Sequence, residues 1–183
     1  WLHNGFLSIN GAKMSKSLGN FFTVRELLAK YPGEVIRLVL LSTHYRQPLD
    51  FTDAALEQAK NILDSWYRTL LNLRHIPGCD APPNEMEAAA QEVIYELLND
   101  LNLSGAIQLL HEKASGLNKS EELNEKLLGF ARDNFVYSAQ AIGLLQQDPE
   151  AWFKWQPAGQ DGMSDAEIEA RIAARNSAKQ VKN

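Results

Sequence analysis

Two lysines three residues apart, Lys13 and Lys16, stand in the short polar run Lys13-Met14-Ser15-Lys16-Ser17-Leu18-Gly19-Asn20. Ammonium groups so placed suit a polyanion, above all a phosphate chain, and the Ser15 and Ser17 hydroxyls with free loop amides would add neutral donors. Gly19 accepts backbone angles that other residues resist, which leaves the run able to move. A basic loop with no ligand has the same composition, so the surroundings must decide. Before the run lies the apolar, β-leaning Phe6-Leu7-Ser8-Ile9. After it, Thr23-Val24-Arg25-Glu26 forms a capping box, in which the Thr23 hydroxyl and the Glu26 carboxylate satisfy free amides at a helix start. The frame predicts a strand-to-helix loop.

The elements that must position this loop follow from the rest of the chain. There are 183 residues, with 45% hydrophobic and 22% charged, a globular balance with enough length for a real core. No apolar run approaches the ~20 residues needed to span a bilayer, and no signal or transit peptide is visible. The chain opens on Trp1, in mid-pattern and without an initiator Met, which reads as a piece of a longer protein. The net charge of −5 is unevenly spread: residues 1–50 hold six basic and three acidic residues, against 12 and 20 in the remainder. A polyanionic ligand therefore belongs with the first part, and broad non-specific nucleic-acid binding does not belong with the second.

A single cysteine, Cys79, excludes an internal disulfide framework. His3, His44, His75 and His111 show no metal-ligand spacing with it or with one another, so no metal site is assigned within the chain.

Past the capping box the chain is helical. Val24, Leu27 and Leu28 mark a short helix that Tyr31-Pro32-Gly33 ends. The nearly continuous apolar run from Val35 to Leu41 fits a buried helix or a strand, and its leucines favour helix. His44-Tyr45-Arg46-Gln47-Pro48 breaks it. Thr52-Asp53 caps a long helix whose stripe is Leu56, Ala59, Ile62, Leu63, Trp66, Tyr67, Leu70 and Leu71. At that spacing Trp66 and Tyr67 belong to a core rather than to a stacking platform. A second long helix is predicted from Asn84, with Met86, Ala90, Val93, Ile94, Leu97 and Leu98. A third runs from Leu103 to Gly116, and a fourth from near Ser120, through Leu123, Leu127 and Phe135, to Leu145. Asp148-Pro149 opens a short piece. Gln156 to Gly162 reads as a linker, and Ser164-Asp165-Ala166-Glu167 opens a last helix rich in Arg171, Arg175, Lys179 and Lys182. Short loops between amphipathic helices predict an antiparallel bundle. The fold class is mainly α: a short β-hairpin and loop carrying the lysines, then a helical bundle. The expected division is 1–50, 51–157 and 158–183.

The string Lys13 to Ser17 resembles the KMSKS loop of class I aminoacyl-tRNA synthetases. The wider run from Trp1-Leu2-His3-Asn4-Gly5-Phe6 to Phe21-Phe22-Thr23-Val24-Arg25, with Ser42-Thr43-His44-Tyr45-Arg46 and Leu49-Asp50-Phe51, is similar to the cysteinyl members. In that family the second bundle helix ends in an Asp-Asp-Phe-Asn-Thr-Pro phrase. Here Asn99-Asp100-Leu101-Asn102-Leu103-Ser104 keeps Asp100 and Asn102 but loses the aromatic and the proline.

The resemblance implies a ligase that joins cysteine to its tRNA through an adenylate made from ATP, with Mg as the ATP counter-ion. Its partners would be tRNA for cysteine, ATP and cysteine, in a cytoplasmic monomer with no membrane contact. Lys16 and Lys13 would act catalytically on the phosphates, since ammonium groups there stabilise charge that builds in the transition state. Ser15 and Ser17 would assist, with His3, Asn4 and Gly5 lining the adenine side. Met14 would anchor the loop by packing. The family's zinc, which holds substrate cysteine, would lie in a nucleotide-binding half preceding Trp1. The anticodon-recognising part would follow Asn183. No His-x-Gly-His element occurs, so this piece by itself is expected to be inactive. Two other classes stay open: a cysteine ligase of thiol biosynthesis acting on an amino sugar, and a non-catalytic RNA-binding module with a relic loop.

Overall fold

The computed structural model describes residues 1–15, 17, 19–79, 84, 87, 88, 90–119, 124–159 and 165–180. A small three-stranded sheet precedes a mostly helical remainder. β1 (Leu7–Ile9) and β2 (Ala12–Lys13) form an antiparallel hairpin with Ser8 opposite Lys13 and Ile9 opposite Ala12. Its two turn residues, Asn10 and Gly11, have φ of 51° and 76°, the conformation that lets a two-residue turn match the strand twist. β3 (Leu49–Phe51), which the sequence reading did not foresee, pairs in parallel with the other edge of β1. A parallel pair requires a long crossover, and here it carries α1 (Val24–Leu28) and α2 (Gly33–Leu41). Asp50 fastens the sheet: its Oδ1 accepts from the Ser8 hydroxyl at 2.8 Å and the Gly11 amide at 2.9 Å.

The Thr23 capping box is present in full. Glu26 accepts from the Thr23 amide, and the Thr23 hydroxyl accepts from the Glu26 amide. Of the three apolar positions predicted to face inward on α1, Leu27 is buried, while Val24 and Leu28 are exposed. A five-residue helix has too little face to bury all three. α2 is a helix rather than a strand, with Val35, Ile36, Leu38 and Val39 buried.

α3 (Asp53–Asn72) is capped by Thr52, whose hydroxyl accepts from the Ala55 amide. Its predicted stripe is the centre of the core: Leu56, Ala59, Leu63, Trp66, Tyr67 and Leu70 are buried. α4 (Gln91–Leu98) begins later than predicted. Residues 84, 87 and 88 are helical, but Ala90 is a buried turn residue that offers no side-chain cap; Met86 lies outside the described residues. α5 (Leu103–Asn118) and α6 (Glu125–Gln140) are capped by Asn102 and Asn124. The predicted start of α6 at Ser120, and Leu123, lie outside the described residues. Leu127 is exposed, contrary to the predicted stripe. The helix ends at Gln140, and Ile142, Leu144 and Leu145 enter the core from a turn with Gly143 at φ 74° and Leu145 at φ 54°. Asp148 caps α7 (Pro149–Lys154), with proline in the first turn as predicted. α8 (Asp165–Gln180) is the last element; Ser164 of its predicted capping box lies outside the described residues. α3 packs on α2, α5 and α7, α5 packs on α4 and α6, and the Ala158 amide returns to the carbonyl of Ala29, which ends α1 as its C-cap.

One buried acid joins these layers. Glu34, in the first turn of α2, is 6% exposed. Its Oε1 accepts from the Tyr67 hydroxyl at 2.9 Å and the Gln146 amide at 3.0 Å, and its Oε2 from the Leu145 amide at 2.8 Å. The Tyr67 oxygen in turn accepts from the Gln147 amide at 3.2 Å. Burial, reinforced by the adjacent carboxylate, pushes the Tyr67 hydroxyl well above its ordinary pKa, so it stays a donor. The Tyr67 ring stacks on Trp152 at 4.4 Å, and the Trp152 indole N–H donates to Asp64, which is paired with Lys60. At the far end of α3, Arg132 Nη1 donates to the carbonyls of Leu73 and Ile76, and Asp133 accepts the Cys79 amide.

Glu34→Ala strips the buried Leu145 amide, the part-buried Gln146 amide and the buried Tyr67 hydroxyl of their acceptor. We expect it to lower the unfolding free energy by about 3 kcal/mol or more in denaturant melts. Glu34→Gln keeps one carbonyl acceptor and is expected to cost less. Equal stability of Glu34→Ala and the parent would contradict the role assigned to the carboxylate.

Candidate functional site

The lysine run leaves the sheet directly from β2. Lys13 is exposed on that strand, and among the described residues it forms no ion pair. Asn20 closes the loop with its side chain: its Oδ1 accepts from the Ser15 amide at 2.9 Å, and its Nδ2 donates to the Lys13 carbonyl at 3.2 Å. Ser15 and Ser17 share a hydroxyl hydrogen bond of 2.7 Å. Gly19 has φ 66° with open space where a Cβ would stand. Met14 is half-buried. Lys16, the first residue predicted to touch phosphate, and Leu18 lie outside the described residues.

Strand register decides what lies near the loop. β2 runs antiparallel to β1 and β3 runs parallel to it, with Leu7 opposite Leu49. The chain leaving β2 after Lys13, the segment entering β1 and the segment entering β3 therefore meet at one end of the sheet. His3 and Asn4 are exposed there. Gly5 is half-buried, and its amide donates to the Tyr45 carbonyl at 2.6 Å. A Cβ on Gly5 would run into the Gln47 carbonyl, so glycine is required by close approach of two chain segments.

His44, Tyr45 and Arg46 are not a free loop. The Tyr45 hydroxyl donates to Asp100 Oδ1 at 2.6 Å, Arg46 Nη2 donates to the same oxygen at 3.2 Å, and Arg46 Nε donates to the Tyr45 oxygen at 2.7 Å. The Tyr45 hydrogen bond first, and then the charges of Arg46 and His44, hold the Asp100 carboxyl below the usual carboxylate range. Sequence reasoning missed this pairing. Partners more than fifty positions apart leave no local spacing signal, and the polar Asn99–Asn102 turn was the one available hint.

Cys79 is a free, half-buried thiol in the loop after α3. Among the described residues no group of three or more His, Cys, Asp or Glu side chains is placed to hold a metal ion. Trp66 lies in the core, edge-on to Phe135 and His111, where burial lowers the His111 pKa. Among the described residues no helix is long and apolar enough to cross a membrane.

Residues 1–61 match the family model described as the tRNA synthetases class I (C) catalytic domain. A solved structure of Agrobacterium radiobacter LeuRS in ternary complex with tRNA and LeuAMS superposes on 81% of this chain and 23% of its own, with a TM-score of 0.62. At 18% identity this is a likeness of fold. Over residues 1–61, which hold the small sheet, α1, α2 and the start of α3, the chain thus matches the class I tRNA synthetases. Its relatives narrow the class. The chain is 51% identical over 183 residues to the cysteine–tRNA ligase of Paramagnetospirillum magneticum, covering 100% of this chain and 38% of that relative. It is 46% identical to the Rhodospirillum centenum ligase, over 92% of this chain and 34% of the relative, and 41% identical to that of Rickettsia canadensis, over 100% and 37%. The chain belongs to the cysteine–tRNA ligase family and spans 34–38% of the length of these curated relatives.

Because the folded Asp100 carboxyl is depressed, its bonds to Tyr45 and Arg46 persist through the ordinary carboxylate range. They are lost as pH falls through the lower folded value. In a carbon-detected NMR titration, Asp100 is expected to show a midpoint below ~3.9, and Tyr45→Phe should move that midpoint upward. A midpoint at or above the ordinary value would refute the pairing in solution.

Proposed function

We propose that this chain is the part of a cysteine–tRNA ligase that carries the phosphate-binding lysine loop and the helices behind it. The carrying observation is the Lys13–Asn20 run, which leaves one end of the sheet at the exposed Lys13 and is closed by Asn20, in a chain similar to these ligases along its whole length. In the proposed reaction the cysteine carboxylate attacks the α-phosphorus of ATP, and the bond to the pyrophosphate oxygen breaks. The tRNA terminal ribose hydroxyl then displaces AMP from the adenylate and takes the cysteinyl group.

In this reading Lys16 first, and Lys13 second, supply positive charge where it builds on the phosphoryl oxygens and on leaving pyrophosphate. Ser15 and Ser17 donate to the same anion once their mutual hydrogen bond opens. His3, Asn4 and the Gly5 backbone border the adenine side. ATP with its Mg counter-ion, cysteine and the cognate tRNA are the proposed partners, in a cytoplasmic monomer. The described side chains do not gather a donor set that would suit the family's zinc, so no step is assigned to that metal here.

The helices from α3 to α7 are read as the antiparallel, tRNA-facing bundle. The proposed units are 1–50, 51–157 and 158–183, with the first boundary falling inside β3.

In the full-length protein carrying this chain, Lys16→Ala is expected to slow cysteine-dependent ATP–pyrophosphate exchange by about 10²–10³-fold, the cost of one lost transition-state donor. Cysteine affinity should stay nearly constant. An unchanged exchange rate would remove Lys16 from the mechanism.

A further inference from the structure

The turn between α4 and α5 carries a cluster to which the proposed chemistry gives no task. Asp100 and Leu101 both have φ of 53°, a left-handed conformation that L residues other than Asn and Asp resist and that persists where surroundings hold it. On one side the hold is Asn102, which caps α5 through the Gly105 amide and donates to Glu96. On the other side it is three consecutive residues of a distant loop. Tyr45 and Arg46 both donate to Asp100 Oδ1, at 2.6 Å and 3.2 Å. His44 Nε2 stands 2.9 Å from the Asp100 carbonyl oxygen, which can only accept, so that nitrogen carries the hydrogen. The same loop grips the start of the chain, through the Gly5 amide on the Tyr45 carbonyl and the close passage of Gly5 over Gln47.

We infer that Asp100 is a positioning residue: by holding Tyr45 and Arg46 it fixes the 44–47 loop, and through the Gly5–Tyr45 hydrogen bond it sets residues 3–5 at the end of the sheet where the lysine loop emerges. The coupling stands on the geometry alone. Its consequence for ATP rests on the reading of residues 3–5 as the adenine side. Aspartate suits the position twice over, since it tolerates positive φ and its short carboxylate meets two donors at once.

Amide hydrogen exchange on this chain tests the coupling. Asp100→Ala is expected to speed exchange of the Gly5 amide at least tenfold, while the Leu63 and Tyr67 amides of α3 keep their rates. Asp100→Asn, which retains an acceptor and the tolerance of positive φ, should fall between. Unchanged Gly5 exchange overturns the inference. Should Asp100→Ala loosen α3 as well, Tyr45→Phe decides, because it removes the hydroxyl without touching the strained turn: Gly5 must still speed up alone. In the full-length protein, Asp100→Ala should raise KM for ATP severalfold with a smaller change in kcat for exchange. An unaltered KM in an enzyme that Lys16→Ala disables overturns the positioning role. A full-length protein with no cysteine-dependent exchange at all sinks the functional reading instead, and the Gly5 rates then decide the coupling by themselves.

Discussion

The Glu34 carboxylate is the constraint on which the rest of the structure depends. A buried acid is tolerable when its oxygens are satisfied by donors fixed in place, and here three donors come from two remote parts of the chain. Because Glu34 sits in the first turn of α2, the helix amides also favour its negative charge. The three bonds do what apolar packing alone does poorly, which is to fix one register. α2 cannot slide along α3 without losing Tyr67, and the 144–147 turn cannot shift without leaving the Leu145 amide buried and unpaired. Trp152 then closes the layer by stacking on Tyr67 and donating to Asp64.

From that fixed layer the site is reached by short steps. α2 ends at Leu41, the 44–47 loop follows, and β3 begins directly after Pro48 and pairs with β1. The lysine loop is thus carried by a hairpin whose edge is locked to a helix pair by β3 and Asp50. The scaffold is tied by β3 and Asp50, and among the described loop residues Asn20 gives two side-chain hydrogen bonds beside Gly19 at φ 66°. A phosphate chain bound as proposed benefits from such an anchored loop root. Charged side chains must close on the ligand during reaction, while their roots must not wander.

Much of this was legible in the sequence where the signal is local. The Leu56-to-Leu70 stripe, the Thr23, Thr52 and Asp148 caps and the helical nature of Val35–Leu41 all follow from period or capping chemistry within a few residues. The lysine run was legible by its residue types, though its closure by the Asn20 side chain was not. What escaped was long-range. β3 is three residues long, and its single apolar–polar–apolar alternation is too short to separate from a loop, so it exists because β1 offers it an edge. Glu34 has nothing local to mark it as buried, and its burial depends on donors more than a hundred positions away. Asp100 was visible as a polar residue kept in the phrase that ends the second bundle helix, but its partners at 44–46 were not. Val24, Leu28 and Leu127 fit apolar stripes and are nevertheless exposed, because period predicts a face and cannot say whether anything covers it.

The central claim is that the Lys13–Asn20 loop receives a chain of phosphates. It is tested most directly by titrating this chain with tripolyphosphate and following backbone and lysine side-chain NMR shifts. The account predicts changes concentrated at Lys13, Ser15, Lys16 and Ser17, saturable, and abolished by the Lys13→Ala/Lys16→Ala double substitution. Shifts spread over Arg171 and Arg175 of α8, or equal in the double variant, would contradict it.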